Sequence, residues 1–254
     1  MKRLLFFTAL LFIISCSNYQ KLLKSSDFDQ KYESAVNYYD NEDFSRALPL
    51  FEDLLTAFKG SSRSEDVYYY YIYTTFYLGD YYNASYHFKN FSKTFFSSKK
   101  SEEMAFMAAY CFYLDSPDYN YDQTNTFNAI SELELFISEY PNSDKKNEAN
   151  SLIADLNKKL EKKELEIAKL YYKTGKYKAS LYAFNSFLEK YPNSSSQEEV
   201  LYIQTKAYFE LAKNSVEEKK KLRIKEFIFA YQNFILTYPD SNYLKEIKSL
   251  KDEL

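Results

Sequence analysis

Residues 168–192 read AKLYYKTGKYKASLYAFNSFLEKYP. Two apolar stripes at helical spacing flank a short polar turn holding Gly175, and Tyr191-Pro192 stops the second stripe. Ala168, Tyr171, Tyr177, Ser180, Phe184 and Phe187 follow one another in steps of three, six, three, four and three. The same steps run through Ala35, Tyr38, Phe44, Ala47, Phe51 and Leu54, and through Ile72, Thr75, Tyr81, Ala84, Phe88 and Phe91. A pattern that recurs at fixed steps is the signature of a repeat architecture, so the chain is read as one helix-turn-helix unit copied along its length.

Two further copies keep the second half of the pattern: Ala129, Leu133, Phe136, Pro141, and Phe227, Tyr231, Phe234, Pro239. In both, Pro falls five residues after the last aromatic, as Pro192 does after Phe187. Small residues such as Ala35 and Ala47 let paired helices approach, and aromatics three or four residues on fill the seam. Gly79 and Gly175 sit in the short turns between paired helices. Tyr-Pro-Asn-Ser at 140–143 and 191–194, and Tyr-Pro-Asp-Ser at 238–241, close their units, Pro ending one helix and Asx/Ser preparing the next. Ser62 to Glu65 and Ser196 to Glu199 read as capping boxes.

These are the features of tetratricopeptide repeats. The expected fold is all-α, a right-handed superhelix of about five tetratricopeptide-like helix-turn-helix repeats. Two stretches break the period and are expected as long inter-helix turns, Asp115 to Asn125 in the third unit and Lys213 to Leu222 in the fifth. Within the second, the Glu217 to Lys221 run reads as a solvated face.

Composition agrees. Three Gly and five Pro are too few for a sheet-rich fold, which needs many residues able to take positive φ at tight turns. The 28 Tyr and 22 Phe, without Trp, make ring packing the main source of buried area. Net charge is −3, or −5 without Lys2 and Arg3, the wrong sign for a nucleic-acid partner.

At the N-terminus Lys2 and Arg3 precede the apolar run Leu4 to Ile14, which is too short to span a bilayer and reads as a secretory signal over residues 1–15. Ile13-Ile14-Ser15-Cys16 resembles a bacterial lipobox, which implies covalent diacylglycerol and an N-acyl chain on Cys16. Several chains hold a protein on a membrane where one does so only marginally. Cys111 is then left as a lone thiol, expected to be buried and inert. The competing address Lys251-Asp252-Glu253-Leu254 matches an endoplasmic-reticulum retrieval signal, but sits in a stretch where Lys, Glu and Leu are common anyway.

Catalytic chemistry has no footing in the pattern. No two of the three glycines lie near each other, so there is no phosphate loop. His87 is the only histidine and lies beside Phe88 on a helix, where partial exposure is expected. Carboxylates are scattered among lysines at helical spacing. The expectation is a chain that is not an enzyme, with no metal and no cofactor beyond the lipid.

Taken together, the lipobox, the five units and the irregular stretch Leu114-Asp115-Ser116-Pro117 with Asp122-Gln123-Thr124-Asn125 resemble the BamD family of outer-membrane assembly lipoproteins. The Tyr-Pro-Asx-Ser unit ends match as well. The resemblance implies an outer-membrane lipoprotein facing the periplasm, a scaffold that binds unfolded β-barrel precursors and the periplasmic domains of the barrel insertase. It divides the mature chain into a lipidated N-terminus and tether (16–27), precursor-binding repeats one to three (28–150) and insertase-docking repeats four and five (151–254). Asp122 and Gln123 are the family-like loop residues. A SusD-like glycan-binding lipoprotein is the alternative in another class, but such chains are about twice as long and stack sugars on Trp; a luminal tetratricopeptide co-chaperone is another.

Projection of the repeat spacing places Tyr32, Val36 and Tyr39 of the first unit, and Asp66, Tyr69, Tyr73 and Phe76 of the second, on or near a face lined by first helices. Rings on such a face suit an extended peptide with alternating aromatic residues, and truncating Tyr73 and Phe76 to Ala is the obvious probe. Rings at helical spacing also pack between units.

Overall fold

The computed structural model describes residues 18–253; the signal segment, Cys16 and Leu254 lie outside them. Among the described residues a helical segment at 18–23 is followed by eleven helices and no strand. They are α1 (Phe28–Asp40), α2 (Phe44–Ala57), α3 (Ser64–Tyr77), α4 (Tyr81–Thr94), α5 (Ser101–Leu114), α6 (Thr124–Glu139), α7 (Lys146–Lys173), α8 (Tyr177–Lys190), α9 (Gln197–Lys213), α10 (Glu217–Thr237) and α11 (Leu244–Asp252). Consecutive pairs from α1–α2 to α9–α10 are the five expected hairpins, and α11 packs on the last of them.

Two kinds of connection alternate, each with its own chemistry. Within the first two pairs an aspartate opens the second helix: Asp43 and Asp80 accept the amides of Arg46 and Asn83 at 3.3 and 3.2 Å. The residue one step before each is left-handed, Glu42 at φ 59° and Gly79 at φ 81°, and Gly175 at 73° takes that place in the fourth pair. Between pairs a single motif recurs five times. Ser61, Ser98, Ser143, Ser194 and Ser241 each accept, at 3.0–3.2 Å, the amide two residues on. Each donates its own amide to the carbonyl of the ring three residues back, Phe58, Phe95, Tyr140, Tyr191 or Tyr238.

That motif corrects the capping boxes. Arg63 and Ser196, not Ser62 and a bonded Ser196 hydroxyl, stand at the helix starts without a side-chain cap. The glutamates reach other helices: Glu65 accepts the Ser98 hydroxyl at 2.6 Å, and Glu199 pairs with Lys169 at 2.7 Å. A second correction concerns Lys213 to Leu222. Only 214–216 form a turn; from Glu217 the chain is helical, because its run of Glu and Lys has high helix propensity and Arg223 ties the turn by donating to Ser215 Oγ at 2.6 Å.

The stretch expected as a tether is also structured. Leu22 and Leu23 pack on the core formed by Ala35, Ala47, Leu50, Phe51, Leu54 and Val67. Tyr19 donates to the Arg46 carbonyl at 2.9 Å and lies edge-on to Tyr38. Lys31, only 1% exposed, donates to the Leu23 carbonyl at 3.1 Å and pairs with Asp53.

The described chain divides into two compact units: residues up to Pro117 with Gln123–Ala154, and Asp118–Asp122 with the chain from Asp155. The first unit is built on Ile72, Ala84, Phe88, Phe91, Met104 and Cys111 alongside the core of the first hairpin. The second packs Leu165, Ala168, Phe184, Phe187 and Val200, and separately Phe209, Phe227, Phe234 and Ile247. α7, at 28 residues twice the length of α8, contributes its first turns to one unit and the rest to the other.

Candidate peptide-binding surface

In the first unit α3 buries Val67, Ile72, Tyr73, Thr74 and Thr75, and its rings Tyr68 to Tyr71, Tyr73, Phe76 and Tyr77, seven of its fourteen positions, cannot share one side of a helix. Tyr68 and Tyr71 turn toward α4, where they meet His87 at 3.0 and 3.5 Å. Tyr73 and Phe76 lie against Phe88 of α4 and continue through Tyr69 and Tyr77 into a row of rings that reaches Tyr39 of α1 and Tyr110 of α5.

The result is a ladder across three first helices. Tyr32 and Tyr39 of α1 both meet Tyr70, at 6.4 and 5.0 Å, and Tyr39 also meets Tyr77 at 6.1 Å. Along α3, Tyr69 lies 4.7 Å from Tyr73 and Tyr73 lies 6.4 Å from Phe76. Phe76 passes the ladder to Tyr110 of α5 at 6.5 Å, which stacks on Phe106 and Tyr113 at 6.0 and 5.8 Å.

Five of the seven expected groove residues, Tyr32, Tyr39, Tyr69, Tyr73 and Phe76, thus belong to one network. Val36 is half-buried and packs on the first hairpin's core. Asp66 is exposed at the edge, paired with Lys100 at 2.9 Å. Tyr73 differs from the expectation of an accessible groove residue. It is 6% exposed because its ring is wedged against Phe88 at 5.2 Å. Burial, with the hydrogen bond to Glu103 next, holds its hydroxyl far above the usual phenol range. Burial likewise raises Tyr39 and Tyr69. The Lys100 ammonium stands 4.5 Å over the Tyr69 ring, and Arg63 faces Tyr32, so the N-terminal end of α3 carries two cations against π surfaces.

With this geometry the chain matches, over residues 24–222 and 171–254, the YfiO family model described as outer membrane lipoprotein. The chain belongs to that family. Two relatives carry the name outer membrane protein assembly factor BamD. The Caulobacter vibrioides protein is 29% identical over 116 residues, 46% of this chain and 37% of its own length. The Pasteurella multocida protein is 22% identical over 229 residues, 86% of this chain and 88% of its own. Among solved structures, nearly identical TPR-like repeats from Podosopora anserina show a TM-score of 0.33 at 10% identity, covering 81% of this chain and 94% of that one.

Of the family-like loop, Gln123 is buried and accepts the Thr126 hydroxyl at 2.8 Å, which ties the loop's end to the start of α6. Its middle is held in the second unit, where Lys163 donates to the carbonyls of Tyr119 and Tyr121 at 3.2 and 2.6 Å and Lys162 lies over the Tyr119 ring.

Sequence reasoning missed Tyr70, Tyr77, Tyr110 and Tyr113. Tyr77 is 51% exposed and stacks on Phe44 at 4.8 Å. The signal was available for Tyr110 and Tyr113, which stand three apart on the first helix of the third unit as Tyr73 and Phe76 do on the second, but that helix lacked a full copy of the repeat steps. Cys111 is buried as expected, and burial pushes its thiol up to about 12. His87 is half-buried as expected, with burial lowering its basicity.

Proposed function

We propose that this chain is a non-enzymatic scaffold of the β-barrel assembly machinery, anchored by lipid on Cys16 in the outer membrane and facing the periplasm. Its first unit receives unfolded outer-membrane precursors on the ladder of α1, α3 and α5, and residues from 151 onward dock the periplasmic domains of the barrel insertase. No cofactor takes part beyond the diacylglycerol and N-acyl chains.

The observation that carries this reading is the ladder's spacing. The half-buried rings Phe76, Tyr110 and Tyr113 follow one another at 6.5 and 5.8 Å. Side chains on one face of an extended peptide repeat every ~6.7 Å. A strand with an aromatic at every second position therefore sets its rings against these in register, gaining apolar burial and edge-to-face contacts. Half-buried tyrosines keep hydroxyls at the rim for the peptide backbone. Family membership and the names of the two relatives point to the same task.

The test is affinity capture of the full chain from membranes together with peptide binding. A barrel insertase is expected to copurify, and a peptide ending in alternating aromatics is expected to bind about tenfold more weakly to Tyr69→Ala and Tyr110→Ala with helicity unchanged. Unaltered affinity in both variants places the peptide elsewhere.

A further inference from the structure

Residues 18–23 form a helical segment locked to the first hairpin at both ends. At one end Tyr19 is bonded to the Arg46 carbonyl and packed against Tyr38, which places it where the last turn of α1 meets the first turn of α2. At the other end the Leu23 carbonyl is held by buried Lys31, and Leu22 and Leu23 enter the core. The segment thus lies against the core of the first hairpin along its length.

Cys16 stands three residues before Tyr19. Three residues reach at most roughly 10 Å even when fully extended. We propose that the occupant of the α1–α2 turn end of the first hairpin is the headgroup layer of the bilayer itself, against which residues 18–24 act as a rigid latch. This rests on Cys16 carrying lipid, as in the function proposed above. Lys21 and Lys24 are exposed on the latch for anionic headgroups. Of the acids near the latch, Asp43 pairs with Arg46 and Asp53 with Lys31, while Asp40 and Glu42 stand exposed in the turn, so the approach to the bilayer is set by the lipid and the short latch rather than by charge. The ring ladder begins on the same helix, α1, so the latch fixes the peptide surface at short range from the membrane, where a long tether would let it wander.

α2 has 14 residues and is about 20 Å long, so its two ends report on this directly. The full lipidated chain is reconstituted into vesicles of phosphatidylethanolamine and phosphatidylglycerol, with a fluorophore on Ser45→Cys at the turn end or on Lys59→Cys beyond the far end. Buried Cys111 does not compete for label. A headgroup-attached spin quencher is expected to quench the label at 45 at least about threefold more than that at 59. In Tyr19→Ser/Leu23→Ser the contrast is expected to vanish, with helicity and vesicle flotation retained. Equal quenching at 45 and 59 in a chain that floats with the vesicles overturns the proposal, as does a contrast that survives unlatching. A chain whose Cys16 carries no lipid by mass spectrometry, and which does not float, overturns the lipoprotein reading first and the latch with it.

Discussion

Tyr73 of α3 donates a hydrogen bond to the Glu103 carboxylate of α5 at 2.5 Å, while its ring lies edge-on to Phe88 of α4. One side chain thus closes the second hairpin through an apolar contact and ties it to the third through a polar one. Tyr73→Phe keeps the ring and removes the bond; because Glu103 is exposed and regains water, the expected loss is about 1 kcal/mol. Tyr73→Ala also leaves a cavity and is expected to cost about 3–5 kcal/mol. Urea unfolding of the two variants measures the difference. A loss of peptide binding in Tyr73→Ala therefore reports on folding before it reports on a groove, which makes Tyr69 and Tyr110 the better probes.

Glu42 occupies, in the first hairpin, the left-handed turn position that Gly79 and Gly175 occupy in the second and fourth. A side chain there is strained, and glycine is not. Glu42→Gly is expected to stabilise the chain by about 0.5–1 kcal/mol, the relief exceeding the added entropy of the unfolded state. A Cβ on Gly79 or Gly175 meets nothing within 4 Å, so Gly79→Ala and Gly175→Ala are destabilised by backbone strain alone, by about 1 kcal/mol. Opposite signs in thermal unfolding for the first substitution and the other two are the expected result.

The five hairpins were legible because their buried positions, from Ala35 and Phe51 to Phe184 and Phe187, recur at steps that a helix must place on one side. What failed was anything decided by which partner a polar group finds. Ser62 to Glu65 has the letters of a capping box, yet Glu65 gains more from the Ser98 hydroxyl of the next connection than from its own helix start. Leu22 and Leu23 carry none of the repeat steps, so their packing on the core of the first hairpin was not legible in the pattern. In the ladder, pattern alone did not separate Tyr73, which is wedged inside, from Tyr77, which stands half in solvent four residues later.

His87 sits between the hydroxyls of Tyr68 and Tyr71, and burial lowers its pKa below the usual 6.5, with Asp80 opposing weakly. The folded state therefore favours the neutral ring. Its contribution to stability is complete above about pH 6.5, where the unfolded histidine is also neutral. It is lost as pH falls from there through the folded pKa, because the unfolded chain binds the proton first. Melting temperatures of the wild type are expected to fall between pH 7 and pH 5 more steeply than those of His87→Gln. Parallel profiles exclude the histidine as the source.

Lys163 of α7 donates to two carbonyls of the 118–122 loop, those of Tyr119 and Tyr121, and Lys162 backs the Tyr119 ring at 4.2 Å. Backbone carbonyls satisfied by an ammonium ion are charge-assisted bonds, each worth about 1.5–3 kcal/mol before the competing hydration of an accessible lysine is deducted. The loop has no strand or helix of its own to hold it, and these bonds add to its order. Lys163→Met keeps the helix and the aliphatic stem and removes both bonds. Amide exchange is expected to accelerate at least about tenfold across 118–122, with α7, α8 and α9 protected as before, since their cores at Leu165, Phe184 and Val200 are untouched. Exchange that accelerates equally in α7 shows that the lysine supports the helix rather than the loop, and unchanged exchange shows that ring packing on Lys162 is enough to hold it.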